Sequence, residues 1–300
     1  MTTIPNWDIF IIQGLILVLG VTSLSLSMWA ARAGSPIVAI FGRWFRWLFV
    51  SFLISGTIYV LGWTGYSFGV LLPVTLLAWF LTETAYNWIA ISALSKSDLP
   101  LFPKFVENER GDEWPSDPES INLKNWLRGE GFSRRQALIS YIEDQTLMRV
   151  SVFENESQTH RIHVLFLPNN RGVTAVCLTF YSLTHKGDYV VTDNIFLPFG
   201  GFYPENWEIE RLPWKRSARR LWTRHLARVD AKAENLVPFV LSPLEQINDD
   251  QRSVEQLNRD FGFLYPIVEE AEHGRLTPGG RARVWQELWT LSYLGKPLKY

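Results

Sequence analysis

Cysteine is almost absent from this chain of 300 residues. Cys177 stands alone, so no internal disulfide can form and one copy cannot build a cysteine-based zinc cluster. A body facing a reducing compartment is compatible with that. Net charge is almost absent as well: 29 Lys and Arg against 30 Asp and Glu leave −1, which removes the whole-protein argument for a nucleic-acid partner. The short motifs that mark common chemistries are also missing. There is no G-x-S-x-G elbow, no G-x-x-x-x-G-K-[ST] phosphate loop and no G-x-G-x-x-G after a strand-like run. Hydrolase, nucleotide-hydrolysing and dinucleotide-binding readings lose weight accordingly. Internal repeats and low-complexity tracts are lacking too, and no cofactor is expected.

The most informative absence is local. Residues 9–31 read IFIIQGLILVLGVTSLSLSMWAA, with no charged side chain over the length that an α-helix needs to cross about 30 Å of hydrocarbon. A cleaved signal peptide fits poorly, because MTTIPNWD ahead of it carries Asp8 and no Lys or Arg, and because the apolar run exceeds a signal h-region. Residues 32–46 contain Gly34, Ser35 and Pro36 as punctuation and then aromatics with arginines, which suits an interfacial ramp into a second span. That span is expected at about 47–64. A third is expected at 70–94, with Pro73 in its first turn. One helix cannot cover 47–94, since Gly62, Gly65 and Gly69 interrupt it.

Basic residues near the span ends set the orientation. Arg32, Arg43 and Arg46 lie in the first loop, and Lys96, Lys104 and Arg110 follow the third span, while the amino terminus and the second loop have none. The amino terminus is therefore expected outside and the large carboxyl domain in the cytoplasm, at the inner or plasma membrane. Glu83 is the one ionisable residue in the middle of a span, with Thr75, Trp79, Tyr86, Asn87 and Ala90 on or near its helical face. A carboxyl group in hydrocarbon is costly. Glu83 and Asn87 are thus candidate intramembrane polar residues, serving an ion or proton step or a partner contact, or else hydrogen-bonded within the bundle.

Beyond residue 94 the chain becomes water-soluble in composition. Residues 95–119 are dense in Pro and charge and read as a linker. Helices are expected at 118–128 and at 133–144, where Ser133 can cap RRQALISYIED. The runs LMRVSVFE, HRIHVLFLP, VTAVCLTFYSL and DYVVTDNIF are rich in β-branched and aromatic residues, with turns marked by Asn169, Asn170 and Gly172 and by Lys186 and Gly187. The expected fold is a three-helix transmembrane anchor (1–94), a linker (95–119) and an α+β domain (120–300). A four-stranded antiparallel meander flanked by helices forms that domain. Further helices are expected at 214–229, 248–260, 264–273 and from Pro278 onward.

The helix at 214–229 carries the strongest charge signal. Arg216, Arg219, Arg220, Arg224 and Arg228 crowd the side opposite Trp214, Ala218, Leu221, Trp222, His225, Leu226 and Val229. Those arginines either lie against anionic lipid, at about 1 kcal/mol each near the surface, or form a solvated face paired in part with Glu208, Glu210 or Asp230. His160 and His163 look like a metal pair, but residues three apart in a strand point to opposite faces, so no metal site is expected. Cys177 lies in an apolar strand and reads as an inert core thiol. If the protein were an enzyme, His185 and Asp193 would be the first acid–base candidates. The leading expectation is a membrane-anchored, non-enzymatic binding or accessory protein, its partners the lipid bilayer and a protein or second copy through the anchor, with no nucleic acid. The alternative is a membrane-bound enzyme or ligand sensor with its site between the strands and the basic helix.

Overall fold

A computed structural model describes residues 6–33, 35–97, 100–111, 114–143, 146–167, 175–266 and 274–298. The chain divides into two units, one of Met1–Leu94 with Trp285–Lys296 and the other of Ser95–Val284 with Pro297–Tyr300.

The first unit contains α1 (Asn6–Ala33), α2 (Pro36–Val60) and α3 (Phe68–Lys96). Three stretches, Ile9–Arg32, Pro36–Val60 and Phe68–Lys96, are long and apolar enough to cross a membrane. The expected second span is corrected at its start. The interfacial ramp does not exist as a separate element, because Pro36 occupies the first turn of α2 and IVAIFGRWFR continues without a break, which brings Arg43 and Arg46 inside the helix. The third helix starts earlier than expected as well, leaving Pro73 in its interior. Helices α1 and α2 approach closely where glycine permits it. A Cβ on Gly56 would stand 2.9 Å from both Ile12 and Ile16, and one on Gly20 would stand 2.9 Å from the Phe49 ring.

The same unit receives the carboxyl end of α7 (Pro278–Trp289) and a π-helical turn, Thr290–Leu294, closed by Gly295 at φ 63°. The wide turn leaves carbonyls free for outside donors. Arg43 Nη1 donates to the Ser292 carbonyl at 2.9 Å, and Trp44 Nε1 donates to the Tyr293 carbonyl at 3.0 Å.

The second unit is built on a sheet larger than the expected meander. Its eight strands are β1 (Val106–Glu107), β2 (Ser133–Glu143), β3 (Thr146–Glu154), β4 (His160–Leu167), β5 (Ala175–Thr184), β6 (Tyr189–Asp193), β7 (Trp207–Arg211) and β8 (Leu236–Val237). Neighbours run antiparallel from β1 to β6, β7 lies parallel to β6, and β8 pairs with β5. The helix expected at 133–144 is corrected to β2. Its apolar spacing suits either period, and pairing with β3 from Ser133↔Glu154 to Glu143↔Thr146 decides for the strand. Residues 95–119, expected as a linker, lie in this unit. They contribute β1, and Asp117 caps α4 (Pro118–Gly129) by accepting from Ser120 N at 2.9 Å.

Two further helices complete the layers. α5 (Ala218–Lys232) starts four residues later than expected because Ser217 caps it, and α6 (Pro243–Asp260) starts earlier because Ser242 and Glu245 form a capping box. The expected turn at Asn169, Asn170 and Gly172, and residues 267–273 of the helix expected at 264–273, lie outside the described residues. Leu264 itself forms a β-bridge with Leu276. α4 and α5 cover one sheet face, where Leu127, Phe132, Phe153, Ile162, Val164, Phe166, Leu178, Phe180 and Leu221 form the main core. α6 covers the other, packing Ile247 with Phe105, Leu138, Val150 and Val152.

Candidate functional site

Strand alternation sends Arg161 and His163 to the face beneath α6, where they meet both polar and aromatic side chains. Arg161, 2% exposed, donates from Nε to Glu154 Oε1 at 2.7 Å and from Nη2 to the Leu241 carbonyl at 2.9 Å. Glu154 takes a second arginine at its other oxygen, from Arg135 Nε at 2.8 Å. The Arg161 guanidinium also lies 4.4 Å over the Phe239 ring. Two residues on, the His163 ring packs 4.6 Å from Tyr181. Burial, with the neighbouring Arg161 charge, pushes His163 down to about 3, so it is a neutral imidazole at physiological pH. Burial, reinforced by Asp250 and Asp193, raises Tyr181 well above its ordinary value.

Helix α6 adds an acid to this stripe. Asp250 Oδ1 accepts from Gln246 Nε2 at 2.7 Å, and the same amide lies 2.9 Å from the Tyr189 hydroxyl. Burial pushes Asp250 up to about 7, against the lowering pull of Gln246 and Arg161. Further along, Asp193 receives Arg211 Nε at 3.0 and 3.3 Å, both side chains 3% exposed, and Arg211 Nη2 donates to the Tyr203 hydroxyl at 3.2 Å. The stripe therefore combines ion pairs with one neutral imidazole and one acid whose titration burial pushes up to about 7. A buried pair of this kind is costly to break and contributes little net stability when intact.

The opposite face carries a hydrogen-bonded chain beneath α5. His160 Nδ1 lies 2.6 Å from Ser182 Oγ, Ser182 Oγ 2.8 Å from His225 Nε2, and His225 Nδ1 3.1 Å from Thr192 Oγ1, which also accepts from Arg228 Nη1 at 2.8 Å. Two polarities fit every member: the donors run either from His160 through Ser182 and His225 to Thr192 or in the reverse order, and Thr192 accepts from Arg228 in both. Ser182 and His225 are wholly enclosed, and Trp222 stacks 5.7 Å from the His225 ring. Burial, with the charges of His160 and Arg228, pushes His225 down to about 3. Chemically this is an enclosed serine between two imidazoles, of which His225 is fully buried and His160 half-buried.

In the first unit, Glu83 is gripped from another helix and from the carboxyl-terminal turn. Its carboxylate accepts from Trp47 Nε1 of α2 and from the Tyr293 hydroxyl, and Arg46 Nη2 stands 3.5 Å away. The side chain is 14% exposed. Trp44, Trp47, Trp289, Tyr293 and Phe80 pack around the group with ring centroids 4.3 to 5.9 Å apart. Thr75, one of the same-helix neighbours expected from spacing, bonds the Ser51 and Leu72 carbonyls, at 3.2 and 2.9 Å.

No family model, curated protein or solved structure matches this chain. Function must be argued from its own geometry.

The remaining sequence candidates fall as follows. Arg224 forms a two-pronged pair with Glu210 at 2.8 and 2.7 Å, and Arg228 is spent on the Val191 and Glu208 carbonyls and Thr192. Arg216, Arg219 and Arg220 are exposed at the start of α5, whose apolar side packs on the sheet through Leu221, His225 and Val229. His185 and Asp193 are not brought together. His185 sits exposed in the turn before β6, and Asp193 is the last residue of that strand. Asn87 is half-buried on α3. Cys177 is buried, and burial pushes its thiol up to about 11, which leaves it protonated and unreactive. Among the described residues no group of His, Cys, Asp and Glu could hold a metal. Sequence reasoning missed Glu154, Arg161, Tyr181, Ser182, Arg211 and Asp250. Only Glu154 and Arg161 had a usable signal, as opposite charges facing each other across a short hairpin of apolar strands.

Proposed function

We propose that this protein is a membrane-anchored binding or accessory protein, its body presented at the cytoplasmic surface of the membrane, and not a catalyst. The carrying observation is that Asp193, with His185 the first acid–base candidate if the protein were an enzyme, is ion-paired with Arg211, while His185 lies in the turn before β6. The seam beneath α5, the alternative location for a site, is filled by Leu221, Trp222 and Phe180 around the enclosed Ser182 and His225. The grip on Glu83 supports an anchoring role for the helices, because a carboxylate held by two neutral donors and an arginine is not free to carry ions. Val240, 94% exposed, and Phe261, 62% exposed, offer accessible positions on the body for a crosslinking test.

The test uses the full chain in its own membrane. Resistance to alkaline carbonate extraction, a cytosolic signal from a reporter fused after Tyr300, and photocrosslinks from positions 240 and 261 to a discrete species are the expected results. A non-cytosolic reporter signal, or no crosslinked species from either position, overturns the proposal.

A further inference from the structure

Packing sorts the arginines of α5 into two groups. Arg228 is drawn in to the Val191 and Glu208 carbonyls and Thr192, and Arg224 is neutralised by its two-pronged pair with Glu210. Arg219 and Arg220 differ. Both are exposed, and among the described residues their side chains meet no carboxylate, carbonyl oxygen or ring. Arg216, exposed just ahead of the cap Ser217, extends the positive surface at the same end.

The direction of these charges is fixed by the core. Leu221, His225 and Val229 are buried against the sheet, so Arg219, Arg220, Thr223 and Ala227 lie on the outer side of the helix, all four of them exposed. No acidic residue occurs from Arg216 to Val229, and the first on the helix is Asp230, about three turns beyond Arg219. The placement does not serve folding. The amino end of a helix is its positive pole, and cations there work against it. Charges that neither pair within the body nor favour its helix are explained by something outside it.

The chain itself says what lies within reach. Three of its stretches are long and apolar enough to cross a membrane, so a lipid surface is always near the body at high effective concentration. A contact worth little on its own then persists. The apolar side of α5 is committed to the core, which excludes insertion into hydrocarbon and leaves a contact of charge with headgroups. Small, uncharged Thr223 and Ala227 behind the arginines leave that approach unobstructed.

We infer that the outer face of α5 docks on anionic membrane lipid, with Arg219 and Arg220 against the headgroups. The inference rests on the reading of the body as held at the cytoplasmic membrane surface, and it names the face and the lipid charge that the contact needs.

The experiment uses the full chain in nanodiscs of phosphatidylcholine, with and without phosphatidylserine. A donor dye on Thr223→Cys reports proximity to acceptor-labelled headgroups, the native Cys177 being buried, and the same dye on Arg252→Cys of α6 samples the other face of the sheet. Energy transfer from position 223 should rise with phosphatidylserine and fall back as salt is added, while transfer from position 252 should not rise. Arg219→Gln with Arg220→Gln should lower the ratio of docked to undocked body about thirtyfold, from about 1 kcal/mol per basic side chain and about 1.4 kcal/mol per tenfold. Lys at both positions should keep most of the response, since charge and not guanidinium shape carries it. The double Gln variant should unfold at no lower denaturant concentration than the native protein, which shows that its loss is not one of folding. Transfer that ignores lipid charge, an equal rise at position 252, or a response that survives the double Gln change overturns the inference. With a cytosolic reporter signal these outcomes remove the lipid contact alone; a non-cytosolic signal removes the reading on which it rests.

Discussion

The stability of the body should depend on pH through two buried histidines and the half-buried Asp250, whose effects oppose one another. His163 and His225 are each held at about 3, against an ordinary 6.5, and Asp250 is held at about 7, against an ordinary 3.8. Below about pH 6.5 the unfolded chain binds two protons on these histidines that the folded chain refuses, which destabilises the fold as pH falls. Over the same interval, down to about pH 4, the folded chain carries a proton on Asp250 that the unfolded chain has lost, which works the other way. The net is one proton, or about 1.4 kcal/mol of stability lost per unit of falling pH. From pH 6.5 to 4.5 the loss amounts to about 3 kcal/mol, and His160, also lowered by burial, adds to it in the same direction. Above pH 6.5 the histidines contribute nothing, and Asp250 alone makes the fold slightly less stable until it ionises near 7. Asp250→Asn removes the opposing proton, so the acid-side slope should double to about 2.7 kcal/mol per unit, while stability at pH 8 should rise by up to about 4 kcal/mol because no carboxylate has to ionise under α6. His163→Gln should flatten the slope instead, since one histidine then faces one acid. The assay is the opening free energy of β4 and β5 amides in the detergent-solubilised full chain, measured by hydrogen exchange between about pH 5 and 8 and corrected for intrinsic rates. A wild-type slope of the opposite sign, or an Asp250→Asn slope equal to the wild type's, refutes the reasoning.

Two further outcomes follow from the polar contacts. Glu83→Ala leaves the Trp47 indole, the Tyr293 hydroxyl and Arg46 without their acceptor, and should raise exchange across residues 285–296 by about 2–4 kcal/mol in opening free energy, with Glu83→Gln retaining roughly half of the protection; equal behaviour of the two variants would count against the grip. Asp193→Ala should destabilise the body by about 3–5 kcal/mol in a denaturant titration, because Arg211 is then buried with its main acceptor gone, whereas the double change Asp193→Leu with Arg211→Met should recover most of the loss; a single variant as stable as the double would show the pair to be dispensable.

How much of this was legible in the sequence depends on the distance over which each feature is decided. The spans are local. A long, predominantly apolar run suits a helix long enough to cross hydrocarbon, so α1 and α3 were readable within a few residues. The start of α2 was misread because arginines near a span end suggest an interface, while Pro36, the actual start signal, looked like loop punctuation. The opposite directions of His160 and His163 follow from strand geometry alone, and the structure places one against Ser182 and the other against Tyr181. β2 failed for the reverse reason: ALISYIE satisfies helical and strand spacing equally, and only its partner β3 decides.

The polar groups mark where local reading stops. Glu83 was recognisable as an anomaly, yet one of the donors that its carboxylate accepts from is a tyrosine 210 residues away, which no spacing rule on α3 could reach. Asp250 was invisible for a subtler reason. In sequence, α6 is a run of Asp, Gln, Arg and Asn that reads as a solvated helix, but Ile247 and Val254 turn toward the sheet and bring Gln246 and Asp250 with them. The acid is perturbed because apolar neighbours one turn away are buried, not because of any motif that contains it. Burial of a few apolar residues therefore settles the charge state of a polar one beside them. That is why the titrating stripe beneath α6, where proton uptake and folding are coupled, emerges only once the sheet and its covering helix are assembled.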